Sequence, residues 1–170
     1  LIINYWLVNF GDFSVWTLGG VTLGFVGFTA LLGCFLLWAS RIPKPYAPIA
    51  MALVWVAYEY LIANGYLGYP WAMVAYPLGT VLPIVQIVDV LGIWGVGFLV
   101  AYSNAALAQA TATGIRSAAR HLGAAGAILV LFLGYGVARL QWQIPLEQHV
   151  PMVLVQQNAD SWIRGNEVQT

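Results

Sequence analysis

Glu59, Asn64, Trp71, Tyr76, Gln86 and Asp89, all able to carry charge or hydrogen-bond, fall together between Tyr58 and Asn104. A Gly68-Tyr69-Pro70-Trp71 turn lies among them, and the runs on either side are apolar enough to enter a bilayer. Polar groups and interrupted backbone are costly at membrane depth, so they mark the working part of a membrane protein. Glu59 can pin the segment that follows it to its own helix. Asp89 stands just before Leu91, where an acid suits the positive end of a helix, and a capping role is expected there. Trp71 and Tyr76 can anchor the chain at headgroup level. Asn104, inside an apolar run, fits an interhelical hydrogen bond.

Other reactive types carry less. Cys34 sits alone in an apolar run, where a cysteine behaves as a small buried hydrophobe, and its neighbours Gly33 and Phe35 offer nothing to lower its pKa. His121 and His149 are far apart and read as polar loop residues. There is no metal-spaced His/Cys set, no phosphate-binding glycine loop and no serine elbow, so neither a metal nor a cofactor is expected.

Composition fixes the surroundings of these residues. The 170 residues are 61% hydrophobic and 7% charged, with a mean hydropathy of +0.81. A soluble domain carries about 25% charged residues, so the chain reads as a multi-pass membrane protein with an all-α helix bundle. Its net charge of zero gives no footprint for a nucleic acid. Uncharged runs predict spans at 14–40, 47–64, 91–113 and 122–142, with a loop over Gly114–His121. Gly20, Gly24 and Gly27 in the first span would let a neighbouring helix approach closely. Arg41 with Lys44, and Arg116 with Arg120, mark the cytoplasmic loops, which leaves residues 65–90 outside and Arg139 to snorkel to the outer interface.

Residues 65–90 are too interrupted by Pro70, Pro77 and Pro83 for a continuous helix, and too apolar for a solvated loop. A re-entrant or interfacial segment is expected. Beyond Pro145 the character changes: Val153–Gln156 reads as a buried β-strand, so residues 150–170 would open an exterior soluble domain. The ends of the chain, Leu1 and a polar run to Thr170, read as those of a fragment.

These motifs together resemble the apolipoprotein N-acyltransferases of bacterial inner membranes. The resemblance rests on Glu59 followed by Gly68-Tyr69-Pro70-Trp71, on Tyr76, on the run from Gln86 and Asp89 through Gly92, Gly95 and Phe98 to Asn104, and on Val155-Gln156-Gln157-Asn158. It implies an α/β nitrilase-like domain after the membrane bundle, on the periplasmic side. It also implies transfer of a fatty acyl chain from a phospholipid to the α-amino group of a diacylglyceryl-cysteine lipoprotein. The catalytic cysteine, glutamate and lysine of the family would lie beyond Thr170. Here Glu59, Tyr69, Trp71, Tyr76 and Trp162 become candidates for substrate binding, and Asp89, Asn104, Gln156 and Asn158 for shaping the junction. The implied partners are the phospholipid donor, the diacylated lipoprotein acceptor and the bilayer. Two departures stand out: Ile62 occupies a place where the family often has arginine, and Gln157 replaces a glycine, with Trp162 arriving early. The rival readings are a secondary transporter or channel, and a noncatalytic membrane scaffold with a degenerate nitrilase-like domain.

Overall fold

The computed structural model describes residues 14–64, 68–71, 73–142 and 152–154. Among these, every regular element is helical: α1 (Ser14–Ser40), α2 (Ala47–Ala63), a 3₁₀ turn (Tyr76–Thr80), α3 (Leu82–Val85), α4 (Val88–Thr113) and α5 (Ile115–Gln141). Three of them, α1, α4 and α5, are long and apolar enough to cross a membrane, while α2, with 17 residues, is shorter. At about 1.5 Å per residue α2 reaches some 26 Å, just under the ~30 Å of a bilayer core.

The start and stop of α2 follow from its sequence. Pro48 lies in its first turn, where a missing N–H removes no helical bond. At the other end Asn64 turns to extended backbone, and both its N–H and its side-chain Nδ2 donate to the Tyr60 carbonyl, at 3.1 and 2.9 Å. That satisfies a carbonyl the helix end would leave open.

The connection between α4 and α5 differs from expectation. Gly114 alone makes the turn, with φ 92 and ψ 150, a backbone that favours glycine. Ile115 then starts α5 at once, so Arg116, Arg120 and His121 lie on a helix and not in the expected loop. The sequence Ile115-Arg-Ser-Ala-Ala-Arg120 has no breaker. Ser117 Oγ donates to the Gly114 carbonyl at 2.8 Å and Gln109 Nε2 donates to the Ser117 carbonyl at 3.2 Å, which closes the turn within the helix pair.

A second departure lies at the other end of α4. Gly92 has φ 62 and ψ −179, so the first turn, Val88–Leu91, is set off from the main shaft by a break that only glycine enters readily. The expected start at residue 91 falls at this break. The preceding segment, expected as re-entrant or interfacial, folds against the bundle. Pro77 and Pro83 open its two short helices, where proline is tolerated. Ala75, Ile84 and Ile87 pack with Val96 and Leu99 of α4 and Phe132 of α5 in one buried cluster.

α4 is the central element, flanked by α2 on one side and α5 on the other. Ala52 of α2, Tyr102 of α4 and Ala125 of α5 form a second cluster. Ala52, Ala106 and Ala118 are fully buried. Small side chains are what brings membrane helices close, since lipid tails remove the usual hydrophobic drive. The closest approach is at Gly136, where an added Cβ would run into the Pro83 carbonyl. By contrast α1 is nearly bare. Gly20, Gly24 and Gly27 have nothing within 4 Å of an added Cβ, so no described helix uses that small-residue face. Cys34 is exposed on α1, not buried as expected, because α1 packs along little of its length.

The expected strand falls mostly outside the described residues. Met152–Leu154 carry no regular structure and are exposed, as a lone strand without pairing partners would be.

The Gly136 contact is testable. Gly136→Val should lower the stability of the purified protein by about 1–3 kcal/mol through overpacking, read as a fall in thermal midpoint in detergent. Gly126→Val, on the same helix where nothing lies within 4 Å, should leave it unchanged.

Candidate functional site

The site grows from Glu59. It lies one turn from the end of α2 and is 3% exposed, one of two polar or charged side chains buried among the described residues. Its Oε1 accepts the backbone N–H of Val74 at 2.8 Å. Its Oε2 lies against Gly97 of α4, 3.2 Å from where a Cβ would stand. The carboxylate thus joins three parts of the chain: α2, the irregular segment and α4. The glycine at 97 makes room for it, and Gly97 is a residue that sequence reasoning passed over. The signal was present: a glycine in an otherwise bulky run, in a helix that had to face a buried acid.

Aromatic rings gather around the same end. Tyr60 meets Trp94 edge-on at 5.3 Å, Tyr69 meets Phe25 of α1 edge-on at 5.3 Å, and Tyr69 and Trp71 lie 6.1 Å apart. The Tyr69 N–H donates to the Ile62 carbonyl at 2.8 Å, which folds the Gly-Tyr-Pro-Trp turn back along α2. Trp71 and Tyr76 are about half exposed, at 52% and 46%. The structure therefore brings Glu59, Tyr69 and Trp71 to one end of the bundle and leaves Tyr76 on its surface.

Below the Glu59 clip, a cavity of about 370 Å³ lies between α1, α2 and α4. Leu36, Met51, Trp55, Val74, Val100 and Asn104 are among its lining residues. Val74, held by Glu59, forms part of this wall. Asn104 does not make the interhelical bond expected of it. Its Nδ2 donates to the Val100 carbonyl at 3.0 Å, one turn back on its own helix, and the residue is exposed. An apolar slot with few polar groups suits a hydrocarbon guest better than an ion. Among the described residues no cluster of three His, Cys, Asp or Glu side chains could hold a metal.

Asp89 lies in the first turn of α4, where its charge suits the helix dipole. Its carboxylate bonds, however, go to α5: Tyr135 OH donates to both oxygens, at 2.9 and 3.0 Å, and Arg139 Nε donates to Oδ2 at 3.2 Å. It ties helices together where capping was expected, because the break at Gly92 and the approach of α5 put better donors within reach. His121, expected in a loop, is 3% exposed between α4 and α5, and its Nδ1 pairs with Tyr102 OH at 2.8 Å. Trp162, Gln156, Asn158 and His149 lie outside the described residues.

Three long apolar helices, with a shorter one whose buried carboxylate ties the irregular segment to the bundle, define a multi-pass helical membrane protein. The family model described as the apolipoprotein N-acyltransferase N-terminal domain matches residues 1–106, and the chain belongs to this family. The chain is 30% identical over 164 residues to apolipoprotein N-acyltransferase 2 of Treponema pallidum, covering 94% of this chain and 29% of that relative. It is 30% identical over 174 residues to apolipoprotein N-acyltransferase 2 of Treponema denticola, covering 95% of this chain and 33% of the relative. It is 24% identical over 168 residues to apolipoprotein N-acyltransferase of Borreliella burgdorferi, covering 96% and 32%. The chain thus spans about a third of the length of these relatives. No solved structure matches it.

Glu59→Ala would leave the Val74 N–H without its acceptor. A buried donor so orphaned costs about 1–3 kcal/mol, so the amide of Val74 should exchange faster with deuterium, while amides in the middle of α5 keep their rate. Glu59→Gln, which retains a carbonyl oxygen at the same reach, should restore most of the protection.

Proposed function

We propose that this chain is the membrane platform of an enzyme that moves a fatty acyl chain from a phospholipid to the N-terminal α-amino group of a diacylglyceryl-cysteine lipoprotein. The observation that carries this reading is the Glu59 clip, which ties the segment after the aromatic turn to α2 and holds Val74 in the wall of an apolar slot. Family membership supplies the reaction class.

In this reading the full-length polypeptide continues beyond Thr170 into a nitrilase-like domain on the periplasmic side of a bacterial inner membrane. A cysteine thiolate there attacks the ester carbonyl of the phospholipid. The C–S bond forms, the C–O bond breaks, and the lysophospholipid leaves with a proton from the glutamate acting as general acid–base. A lysine steadies the oxyanion. The lipoprotein amine then attacks the thioester and gives a proton to the glutamate; the C–N bond forms, the C–S bond breaks and the thiolate is released. Both substrates are lipid-anchored, so their reactive groups stand at the membrane surface. A hydrophobic platform lets their chains arrive sideways and turns two encounters in the membrane into one oriented complex. Tyr69, Trp71 and Tyr76 would form the rim of that approach, and Trp162 would join them from the soluble side. Arg41 and Lys44 after α1, and Arg116 and Arg120 in the first turns of α5, would face the cytoplasm.

The test is to incubate the full-length protein with phospholipid labelled in its acyl chain and a diacylglyceryl-cysteine peptide. Label should appear first as a thioester on a cysteine downstream of Thr170 and then on the peptide amine. Absence of both above a control without enzyme overturns the reading. Cys34 lies on a membrane helix and takes no part, so Cys34→Ala should change the rate by less than about twofold, as surface substitutions do.

A further inference from the structure

The two helix ends joined by Asp89 carry more donors than the joint uses. Arg139 engages Asp89 through Nε alone, at 3.2 Å. A guanidinium offers five N–H groups in a planar fork; Asp89 takes only the one on Nε, and the Tyr135 hydroxyl also lies in hydrogen-bonding reach of the group. The group is open to its surroundings: Arg139 is 29% exposed and Asp89 43%. An ion pair this exposed contributes little on its own, so stability alone does not account for the arrangement.

Three features aim and hold the free edge. Tyr135 OH fixes both oxygens of Asp89, and Asp89 in turn fixes Nε. The Trp142 ring lies under the guanidinium, 5.5 Å from centroid to Cζ. Trp142 itself is 73% exposed at the end of α5, where tryptophan sits at headgroup level. Depth agrees: Arg139 is in the last turn of a 27-residue apolar helix about 40 Å long, which matches the bilayer with its headgroups. Arg139 is also the one cation among the described residues at this end. Arg41 and Lys44 follow α1, and Arg116 and Arg120 follow the Gly114 turn, at the opposite end.

We propose that Arg139 binds the phosphodiester of a phospholipid headgroup, through its two Nη groups, with Asp89 and Trp142 as positioning residues. A planar fork meets two phosphate oxygens in parallel hydrogen bonds, the geometry in which arginine surpasses lysine. The binding needs only that the helices lie in a membrane, and it holds whether or not the bound lipid is the acyl donor.

The experiment uses the full-length protein in neutral detergent, with the nucleophilic cysteine downstream of Thr170 replaced by alanine and no lipoprotein acceptor present, so that no thioester forms and the readout is binding and not transfer. Bound lipid is counted by native mass spectrometry for dipalmitoyl phosphatidylethanolamine, for dipalmitoylglycerol, which lacks the phosphate, and for inorganic phosphate as competitor. The phospholipid should be retained about tenfold more tightly than the diacylglycerol, with inorganic phosphate a poor competitor. Arg139→Gln should abolish that difference and Arg139→Lys should recover part of it. If Arg139→Gln fails to fold, Trp142→Ala supplies the same readout with a smaller loss. Equal retention of both lipids by the unaltered protein, an Arg139→Gln or Trp142→Ala protein that keeps the full difference, or displacement by inorganic phosphate at the lipid's own concentration would each overturn the proposal.

Discussion

A single buried carboxylate sets the geometry of this bundle's working end. Glu59 is held in an apolar interior, where an unpartnered acid is expensive and a hydrogen-bonded one is tolerable. Its partner is not a base but the backbone N–H of Val74, fifteen residues on along the chain. That choice means the acid specifies the path of the main chain. The Gly-Tyr-Pro-Trp turn before Val74, the two proline-led helices after it and the seat of α4 at Gly97 all depend on where that one bond lies. A segment too irregular to hold itself together is held by that bond and by the Tyr69 N–H to the Ile62 carbonyl, assisted by Ala75, Ile84 and Ile87 in the core.

The helix packing and the site use the same device at different scales. Where two backbones must come close, a side chain is absent: Gly136 faces Pro83, Gly97 faces Glu59, and Ala52, Ala106 and Ala118 are buried between helices. In lipid, contact of this kind replaces the hydrophobic drive of a soluble core. The polar bonds that cross between helices are few and local. Asp89 with Tyr135 and Arg139 ties one end of α4 to α5, and Tyr102 with His121 ties them further along.

Much of this was legible in the residues. Uncharged runs fell on α1, α2, α4 and α5, because hydropathy over a long window averages out local exceptions, but the start of α5 was expected at Leu122 and lies at Ile115. Glu59 stood out because an acid in an apolar helix demands a partner. The partner itself was not legible: a backbone N–H has no signature in the sequence. Nor was the tightness of the α4–α5 turn. Arginines at 116 and 120 look like loop residues, yet a glycine at 114 can reverse the chain alone, and both arginines then ride on the first turns of α5. Asp89 and Asn104 show the limit for single polar residues. Each found a nearer donor or acceptor than the one its position suggested, and only the three-dimensional neighbourhood decides which.

The shortness of α2 has a consequence for the lipid around it. Its 17 residues fall a few ångströms short of a full hydrocarbon layer, while its neighbours α1 and α4 have 27 and 26. Hydrophobic mismatch of this kind is relieved when the bilayer thins beside the short helix, at a modest cost per ångström. Glu59 and the aromatic turn lie at one end of this short helix. Thinning there would bring the ester groups of neighbouring lipids nearer to that end through the shape of the membrane itself, before any side chain has touched them.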